Sequence, residues 1–166
     1  YKGVLYGGFM ATVDGVKLIE YNARFGDPEA MNVLPLLDAD FIEICNSIAD
    51  GTLNSVDVQF QNKATVCKYA VPEGYPDKPV KGKPIDVSNV VNTDDLFYAS
   101  VDIQNGQLVE AGSRTVAVVG IANTISEAEK IAENEISAVE GPLFHRTDIG
   151  SMQLVNKRVE HMDSLR

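Results

Sequence analysis

Residues 20–29 of the chain read EYNARFGDPE, and this stretch decides how the first part of the sequence is interpreted. Its first half belongs to a run of β-forming residues at 16–24, and a similar run occupies 3–13. Asp14-Gly15 separates the two runs, and Asp-Gly is typical of a type I′ turn, whose two central residues need positive φ. The sequence therefore predicts an antiparallel hairpin that carries the motif on its second strand.

The alternation of side chains along a strand places Glu20, Asn22 and Arg24 on one face of this hairpin. Glu20 and Asn22 offer carboxylate and amide oxygens, which Mg²⁺ takes as ligands together with the phosphates of a nucleotide. Arg24 can donate two parallel hydrogen bonds to phosphate oxygens. From the residues alone, a solvated strand face with a weak surface ion pair is the more common explanation of such a row.

The second half of the motif predicts the start of a helix. Residues 26–29 read as a turn, with Asp27 as the helix cap and Pro28 at the first helical position. A clearer helix is predicted at 41–50, because apolar residues there recur on one face and Asp40 precedes them as a capping residue.

Beyond a polar linker at 52–62, strands alternate with one long helix. The elements predicted there are a strand at 64–71, a hairpin whose strands 97–104 and 107–110 meet at Asn105-Gly106, a buried strand at 114–121, and a helix at 127–140 capped by Ser126 with Glu129. The charged tail from Ser151 is weakly patterned and is expected to be partly disordered. This order of elements predicts an α+β chain of antiparallel sheets and packed helices.

The composition excludes several classes of function. Lys and Arg number 14 against 24 Asp and Glu, so the formal net charge is −10, which disfavours nucleic-acid phosphates and anionic membrane surfaces as partners. No apolar run approaches the ~20 residues of a membrane-spanning helix. Cys45 and Cys67 are too few for a disulfide framework, so both are expected to be buried and reduced in a cytoplasmic protein.

The motif at 20–29 closely resembles the signature Glu-Phe-Asn-x-Arg-Phe-Gly-Asp-Pro-Glu of the glycinamide ribonucleotide synthetase family, which belongs to the ATP-grasp ligases. The lead-in at 1–10 resembles the strand that precedes this signature. Residues 114–120, the helix that follows them and residues 144–150 resemble the family's C-terminal domain. The resemblance covers nearly the whole chain up to about Gly150 and keeps the family's order.

The resemblance implies the C-terminal part of a ligase that joins 5-phosphoribosylamine and glycine in purine biosynthesis, using ATP and passing through glycyl phosphate. It implies that residues 1–58 are the end of an ATP-grasp domain, that 59–150 are the C-terminal domain and that 151–166 are a tail. ATP, glycine and 5-phosphoribosylamine are the implied small-molecule partners. The N-terminal portion of the same enzyme is the implied protein partner, and without it the chain is expected to be inactive.

Site roles also follow from the resemblance. It implies that Glu20 and Asn22 are ligands of Mg²⁺ or Mn²⁺, and that Arg24 is the catalytic contact to the transferred phosphate. Asp27 and Glu29 are implied to lie beside the substrate and to bind it.

The chain departs from the family pattern in three places. Many ATP-grasp enzymes carry a further metal ligand on the preceding strand, where Gly8 faces the motif here. Met31 stands in place of a frequent Gln, and Ser113 stands in place of the second Gly of a Gly-Gly-Arg run. Two alternatives stay open: another ATP-grasp ligase with a different acceptor, and a non-catalytic binding module that keeps the strand row only as structure.

Overall fold

The computed structural model describes residues 1–165 and has the α+β architecture that the sequence predicts. Its elements are β1 (Tyr6–Thr12), β2 (Gly15–Asn22), α1 (Glu29–Val33), α2 (Phe41–Asp50), β3 (Ala64–Pro72), β4 (Leu96–Tyr98), β5 (Val101–Gln104), β6 (Gln107–Glu110), β7 (Val116–Ala122), α3 (Ile125–Ser137), β8 (Leu143–His145) and α4 (Met152–Ser164). The described residues form two compact units, residues 64–154 and residues 1–63 with residues 155–165. Over the described residues, no helix is both long enough and apolar enough to cross a membrane.

The predicted hairpin is confirmed as the antiparallel pair β1 and β2. Its turn differs from the prediction, because Thr12 pairs with Gly15 and the loop therefore consists of Val13 and Asp14. Only Gly15 has positive φ, at 99°, so the type I′ turn expected at Asp14-Gly15 is wrong. Strand β2 ends at Asn22, two residues earlier than expected.

The two helices of the first unit begin differently. Pro28 occupies the cap position of α1 and has no side-chain oxygen to offer, so the expected cap by Asp27 is wrong. Helix α2 is confirmed with its predicted bounds, and the carboxylate of Asp40 accepts from the backbone N–H groups of Ile42 at 2.8 Å and Glu43 at 3.2 Å. A side-chain cap of this kind contributes about 1 kcal/mol to a helix.

The second unit is built on a four-stranded antiparallel sheet in the order β4-β7-β3-β8. Strand β7 is buried along most of its length, which confirms the prediction that this segment is a buried strand. Helix α3 packs on β3 and β7. The apolar core between them is formed by Val66, Ala70, Val116, Val118, Ala128, Ala132 and Ile136.

The second hairpin, β5 with β6, closes through Asn105 and Gly106 as predicted. Their φ angles of 51° and 78° are those that a type I′ turn requires. The expected continuous strand 97–104 is wrong, because Phe97 lies in β4 and pairs with Ala117 of the four-stranded sheet. The N–H groups of Ala99 and Ser100 bond to carbonyls at 115 and 114, and the chain passes from that sheet to the hairpin there.

Helix α3 begins and ends earlier than predicted. Its capping box pairs Thr124 with Glu127: the Glu127 N–H donates to the Thr124 hydroxyl at 3.2 Å, and the Thr124 N–H donates to the Glu127 carboxylate at 3.1 Å. The box expected at Ser126 and Glu129 is therefore wrong. Glu129 lies instead on the side of the helix that faces the sheet.

The C-terminal segment and one of the two cysteines differ from what the sequence predicts. Helix α4 covers most of the segment expected to be a partly disordered tail. Cys67 on β3 is buried as expected, but Cys45 is exposed, because α2 buries only Ile44 and leaves its neighbour outward.

Gly120 on β7 lies directly beneath α3. A Cβ at this position would collide with the carbonyl oxygen of Ala128 and would lie 2.8 Å from the backbone nitrogen of Ala132. We expect Gly120→Ala to lower the free energy of unfolding by about 1–3 kcal/mol, because the helix has to move away from the sheet. Urea unfolding measures this loss. The matched control is Gly8→Ala, where a Cβ makes only ordinary contact at 3.5 Å, and an equal loss in both variants would contradict the packing argument.

Lys68 points from β3 into the core, and its side chain is 0% exposed. Its ammonium donates to Glu129 at 2.8 Å and to Glu133 at 2.5 Å, both on α3, and to the Thr147 carbonyl at 3.1 Å. His145 of β8 contacts the other oxygen of Glu133 at 3.1 Å. This buried charge network joins β3 and β8 to α3, since Glu129 and Glu133 are four residues apart and share one helix face.

The network makes the stability of the second unit depend on pH. Partial burial raises the pKa of Glu133, but hydrogen bonds and charges from Lys68 and His145 outweigh burial and hold that pKa below its usual value. A carboxyl whose pKa falls on folding stabilises the fold above its unfolded pKa, and the contribution is lost as the pH falls through the folded pKa. We expect the unfolding free energy to decrease below about pH 4.3, the usual Glu pKa, and to decrease less in Glu133→Gln. Urea titrations across this range provide the measurement.

The matched control for this pH dependence is Glu160→Gln, which removes an exposed carboxyl of α4. That variant is expected to keep the slope of the unmodified chain. If Glu133→Gln kept the same slope as well, the network would not be the source of the acid sensitivity.

Candidate functional site

A bulge in the β1–β2 ribbon sets the direction of Glu20. Gly8 pairs with Glu20 while the next residue, Phe9, pairs with Leu18, so Ile19 is an extra residue in β2. Bulges of this kind often lie beside functional sites, where they re-aim a side chain. The pairing confirms that the position facing Glu20 on the preceding strand is a glycine.

Glu20 and Asn22 lie side by side on one face of the ribbon, as their alternation predicts. The Asn22 amide nitrogen Nδ2 donates to Glu20 Oε1 at 3.1 Å. This bond leaves Glu20 Oε2 and Asn22 Oδ1 for other contacts. Glu20 is exposed and Asn22 is half-buried, so both oxygens are accessible from solvent.

Arg24 is not brought against this pair. Because β2 ends at Asn22, the alternation of a strand no longer applies two residues later, and the chain bends there. The Arg24 guanidinium is exposed, and its Nη1 donates to the Phe25 carbonyl oxygen at 2.7 Å. Its other N–H groups, one on Nε, two on Nη2 and the second on Nη1, are the ones that a bound anion would meet.

The turn after Arg24 is closed by Glu29. The Tyr6 hydroxyl on β1 donates to Glu29 Oε1 at 3.0 Å. The carboxylate also lies over Gly26, where a Cβ would come within 2.5 Å of Glu29 Oε2. Asp27 is exposed on the outside of the same turn.

The opposite face of the ribbon is apolar. Phe9 and Tyr21 meet edge to face with ring centroids 6.0 Å apart, and both rings lie over Gly7. Tyr21 is 57% exposed, and the bulge residue Ile19 is 61% exposed. A Cβ added at Gly8, which faces Glu20, would lie 3.5 Å from Glu20 Cγ and 3.9 Å from Ile19 Cβ, so the bulge brings Ile19 to the side of Glu20. The aromatic pair of Phe9 and Tyr21 remains on the other side of the ribbon.

The donor set of the Glu20–Asn22 pair fits a hard divalent cation. Mg²⁺ and Mn²⁺ accept carboxylate and amide oxygens as ligands, and here the two oxygens are held side by side on one face of the strand. Softer metals select thiolates and imidazoles. Among residues 1–165, no group of three or more His, Cys, Asp and Glu side chains is arranged to hold a metal ion. The pair thus offers two protein oxygens to an ion whose other ligands come from elsewhere.

Sequence reasoning missed Tyr6 as a member of this site. Tyr6 pairs directly with Asn22 across the ribbon, so the phenol and the amide share a face. Its contact with Glu29 joins residues that are 23 positions apart. The available signal was the pairing register of the hairpin, which identifies the residue opposite Asn22.

Comparisons with known proteins match the chain in two consecutive segments. The model of the phosphoribosylglycinamide synthetase ATP-grasp (A) domain matches residues 1–30, which include the whole EYNARFGDPE motif. The model of the phosphoribosylglycinamide synthetase C domain matches residues 65–152, which is more than half of the chain.

Curated relatives agree with these matches. The phosphoribosylamine–glycine ligase of Methanocaldococcus jannaschii is 56% identical over 169 residues, covering 100% of this chain and 38% of that protein. The ligase of the same name from Methanocella arvoryzae is 53% identical over 167 residues with the same coverage. The chain thus spans well under half the length of the curated relatives that it matches.

A solved structure has the same fold. The crystal structure of phosphoribosylamine–glycine ligase from Thermotoga maritima superimposes with a TM-score of 0.72 at 29% sequence identity. The match covers 87% of this chain and 36% of that one.

Proposed function

Because the chain belongs to the phosphoribosylglycinamide synthetase family, we propose that it is the C-terminal part of a phosphoribosylamine–glycine ligase. The whole enzyme would join 5-phosphoribosylamine and glycine, with conversion of ATP to ADP and phosphate. The observation that carries this proposal is the Glu20–Asn22 pair, held on the segment that matches the family's ATP-grasp domain. We call the longer protein the full-length ligase.

In this proposal the reaction has two balanced steps. A carboxylate oxygen of glycine attacks the γ-phosphorus of ATP, and the bond from that phosphorus to ADP breaks, which gives glycyl phosphate. The amine of 5-phosphoribosylamine then attacks the carbonyl carbon, phosphate leaves, and the nitrogen loses a proton. A C–N bond results, and the free energy comes from the cleaved phosphoanhydride.

The residues of this chain act on the first step. Glu20 and Asn22 would hold Mg²⁺ or Mn²⁺ through the oxygens outside their mutual hydrogen bond, and a divalent ion there neutralises charge on the phosphates. Arg24 would donate its unused N–H groups to the transferred phosphoryl group. Asp27, exposed on the following turn, is the proposed substrate-side carboxylate of this chain.

The test is ADP release by the full-length ligase with ATP, a divalent ion, glycine and 5-phosphoribosylamine. Release that requires both organic substrates supports the proposal. Release that continues with a different amine acceptor, and not with 5-phosphoribosylamine, would assign the chain to another ATP-grasp ligase. No release with any acceptor, together with full folding, would favour a binding module. The isolated 166-residue chain serves as the negative control.

A further inference from the structure

Tyr6 stands on the same face as the proposed metal ligands. It pairs with Asn22 across the ribbon, two positions along β1 from Gly8, which pairs with Glu20. Directly paired side chains in an antiparallel ribbon point to the same side and have Cβ atoms about 5 Å apart. The phenol therefore lies next to Asn22, at the end of β2 from which the chain continues toward α1.

The phenol is engaged away from that pair. Its hydroxyl donates to Glu29 Oε1 at 3.0 Å, and the hydrogen bond to Glu29, burial, and the negative charges of Glu29 and Glu20 all raise the pKa of Tyr6. The Tyr6 hydroxyl is thus committed as a donor to Glu29.

Glu29 closes the other end of the contact. Its carboxylate folds back over Gly26, which is buried and whose carbonyl accepts from the Ala30 N–H at 2.9 Å. One carboxylate oxygen is bonded to Tyr6 and the other lies against the backbone of the turn. The carboxylate is thereby used in holding the turn that carries Arg24 and Asp27.

We propose that Tyr6 and Glu29 form a positioning pair that fixes the Arg24–Asp27 turn relative to Glu20 and Asn22, and that Glu29 acts through Tyr6 instead of binding substrate directly. This inference rests on the proposed ligase function. It replaces the substrate-binding role that the sequence motif implies for Glu29. The pair ties β1, the strand that is paired with the metal-ligand strand β2, to the start of α1, across the bend where β2 ends.

The test compares Tyr6→Phe, Glu29→Ala and Glu29→Gln in the full-length ligase. Tyr6→Phe and Glu29→Ala are each expected to lower kcat about tenfold, which is the size of one lost hydrogen bond to a charged group. Glu29→Gln retains an oxygen that can accept from the Tyr6 hydroxyl, so it is expected to recover most of the activity. The double variant Tyr6→Phe with Glu29→Ala is expected to be no slower than either single variant, because the two residues act as one unit.

KM for glycine separates the positioning role from direct binding. A positioning pair lowers kcat and leaves this KM within about twofold, since the substrate is not itself contacted. If Glu29→Gln were as impaired as Glu29→Ala and raised the KM for glycine while Tyr6→Phe stayed fully active, direct binding would replace our inference. Tyr6→Phe is nearly isosteric, so it keeps the test decisive even if Glu29→Ala fails to fold. An inactive unmodified ligase would refute the proposed function, whereas an active ligase with fully active Tyr6→Phe would refute the positioning pair alone.

Discussion

The full-length ligase carrying Asn22→Ala is expected to lose about a hundredfold in kcat, the effect of removing about 3 kcal/mol of transition-state stabilisation. Asn22 lies beside Glu20 on the open face of the ribbon and supplies one of the two protein oxygens proposed for the divalent ion. Its amide bonds to an exposed carboxylate, a contact that contributes little to folding. The loss should therefore appear in steady-state turnover and not in the thermal unfolding midpoint.

Two variants control this experiment. Asn22→Asp keeps an oxygen at the same place and is expected to regain turnover as the divalent ion concentration is raised. Lys17→Ala removes another polar side chain from the same strand and is expected to leave turnover unchanged. If Asn22→Ala lowered the thermal unfolding midpoint as well, so that loss of folded protein accounted for the loss of turnover, the strand row would be only structural. A structural role is the more common explanation of such a pattern.

Lys68→Met is expected to destabilise the second unit by about 3 kcal/mol, because removing one partner of a buried ion pair leaves the other charges uncompensated. The Lys68 ammonium is fully buried, and Glu129 and Glu133 keep only 19% and 29% of their side chains exposed. Partial solvation of these carboxylates places the estimate at the lower end of the usual range for such losses. Urea unfolding followed by circular dichroism measures the change.

The compensating variant combines Lys68→Met with Glu129→Gln and Glu133→Gln. It removes the uncompensated charges and is expected to recover most of the lost stability, since neutral replacements of buried ion pairs are often tolerated. A loss below about 1 kcal/mol in Lys68→Met alone would show that solvent screens the two carboxylates well enough without the lysine.

Local patterns predicted much of this fold. Helix α2 has the predicted bounds, because a capping aspartate and an apolar face are read within ten residues. The two hairpins and the buried strand β7 could also be predicted, because turn residues between β-forming runs and an unbroken apolar run are likewise local features. The placement of Glu20 and Asn22 on the same face of β2 could be predicted from the two-residue period of a strand alone.

The errors arose where tertiary contacts choose between equivalent local patterns. Thr124 with Glu127 and Ser126 with Glu129 both fit the sequence pattern of a capping box. The structure uses the first pair, and Glu129 instead accepts a hydrogen bond from Lys68, which is distant in sequence. The first turn is another such case. A loop at Asp14-Gly15 would have paired Tyr6 with Ala23, whereas the observed loop and the bulge pair Tyr6 with Asn22.

The site shows the same limit. Residue spacing placed Glu20 and Asn22 on one face, but it did not predict the direction of Arg24, which depends on where the strand ends. The bond between Tyr6 and Glu29 has no local signature, because it depends on the angle between the ribbon and α1. Ion pairs and hydrogen bonds between remote residues are set by packing, which a one-dimensional pattern does not record.

Gly8 is a position of the ribbon at which a substitution could add a side chain beside Glu20. It faces Glu20 without a side chain, its φ is not positive, and an added Cβ would make only ordinary contact at 3.5 Å. One change of codon, from glycine to aspartate or glutamate, would set a third oxygen beside the existing two without rearranging the backbone. Because ligand number governs the choice among hard cations, the metal preference of the proposed site would be adjustable through a single inherited substitution.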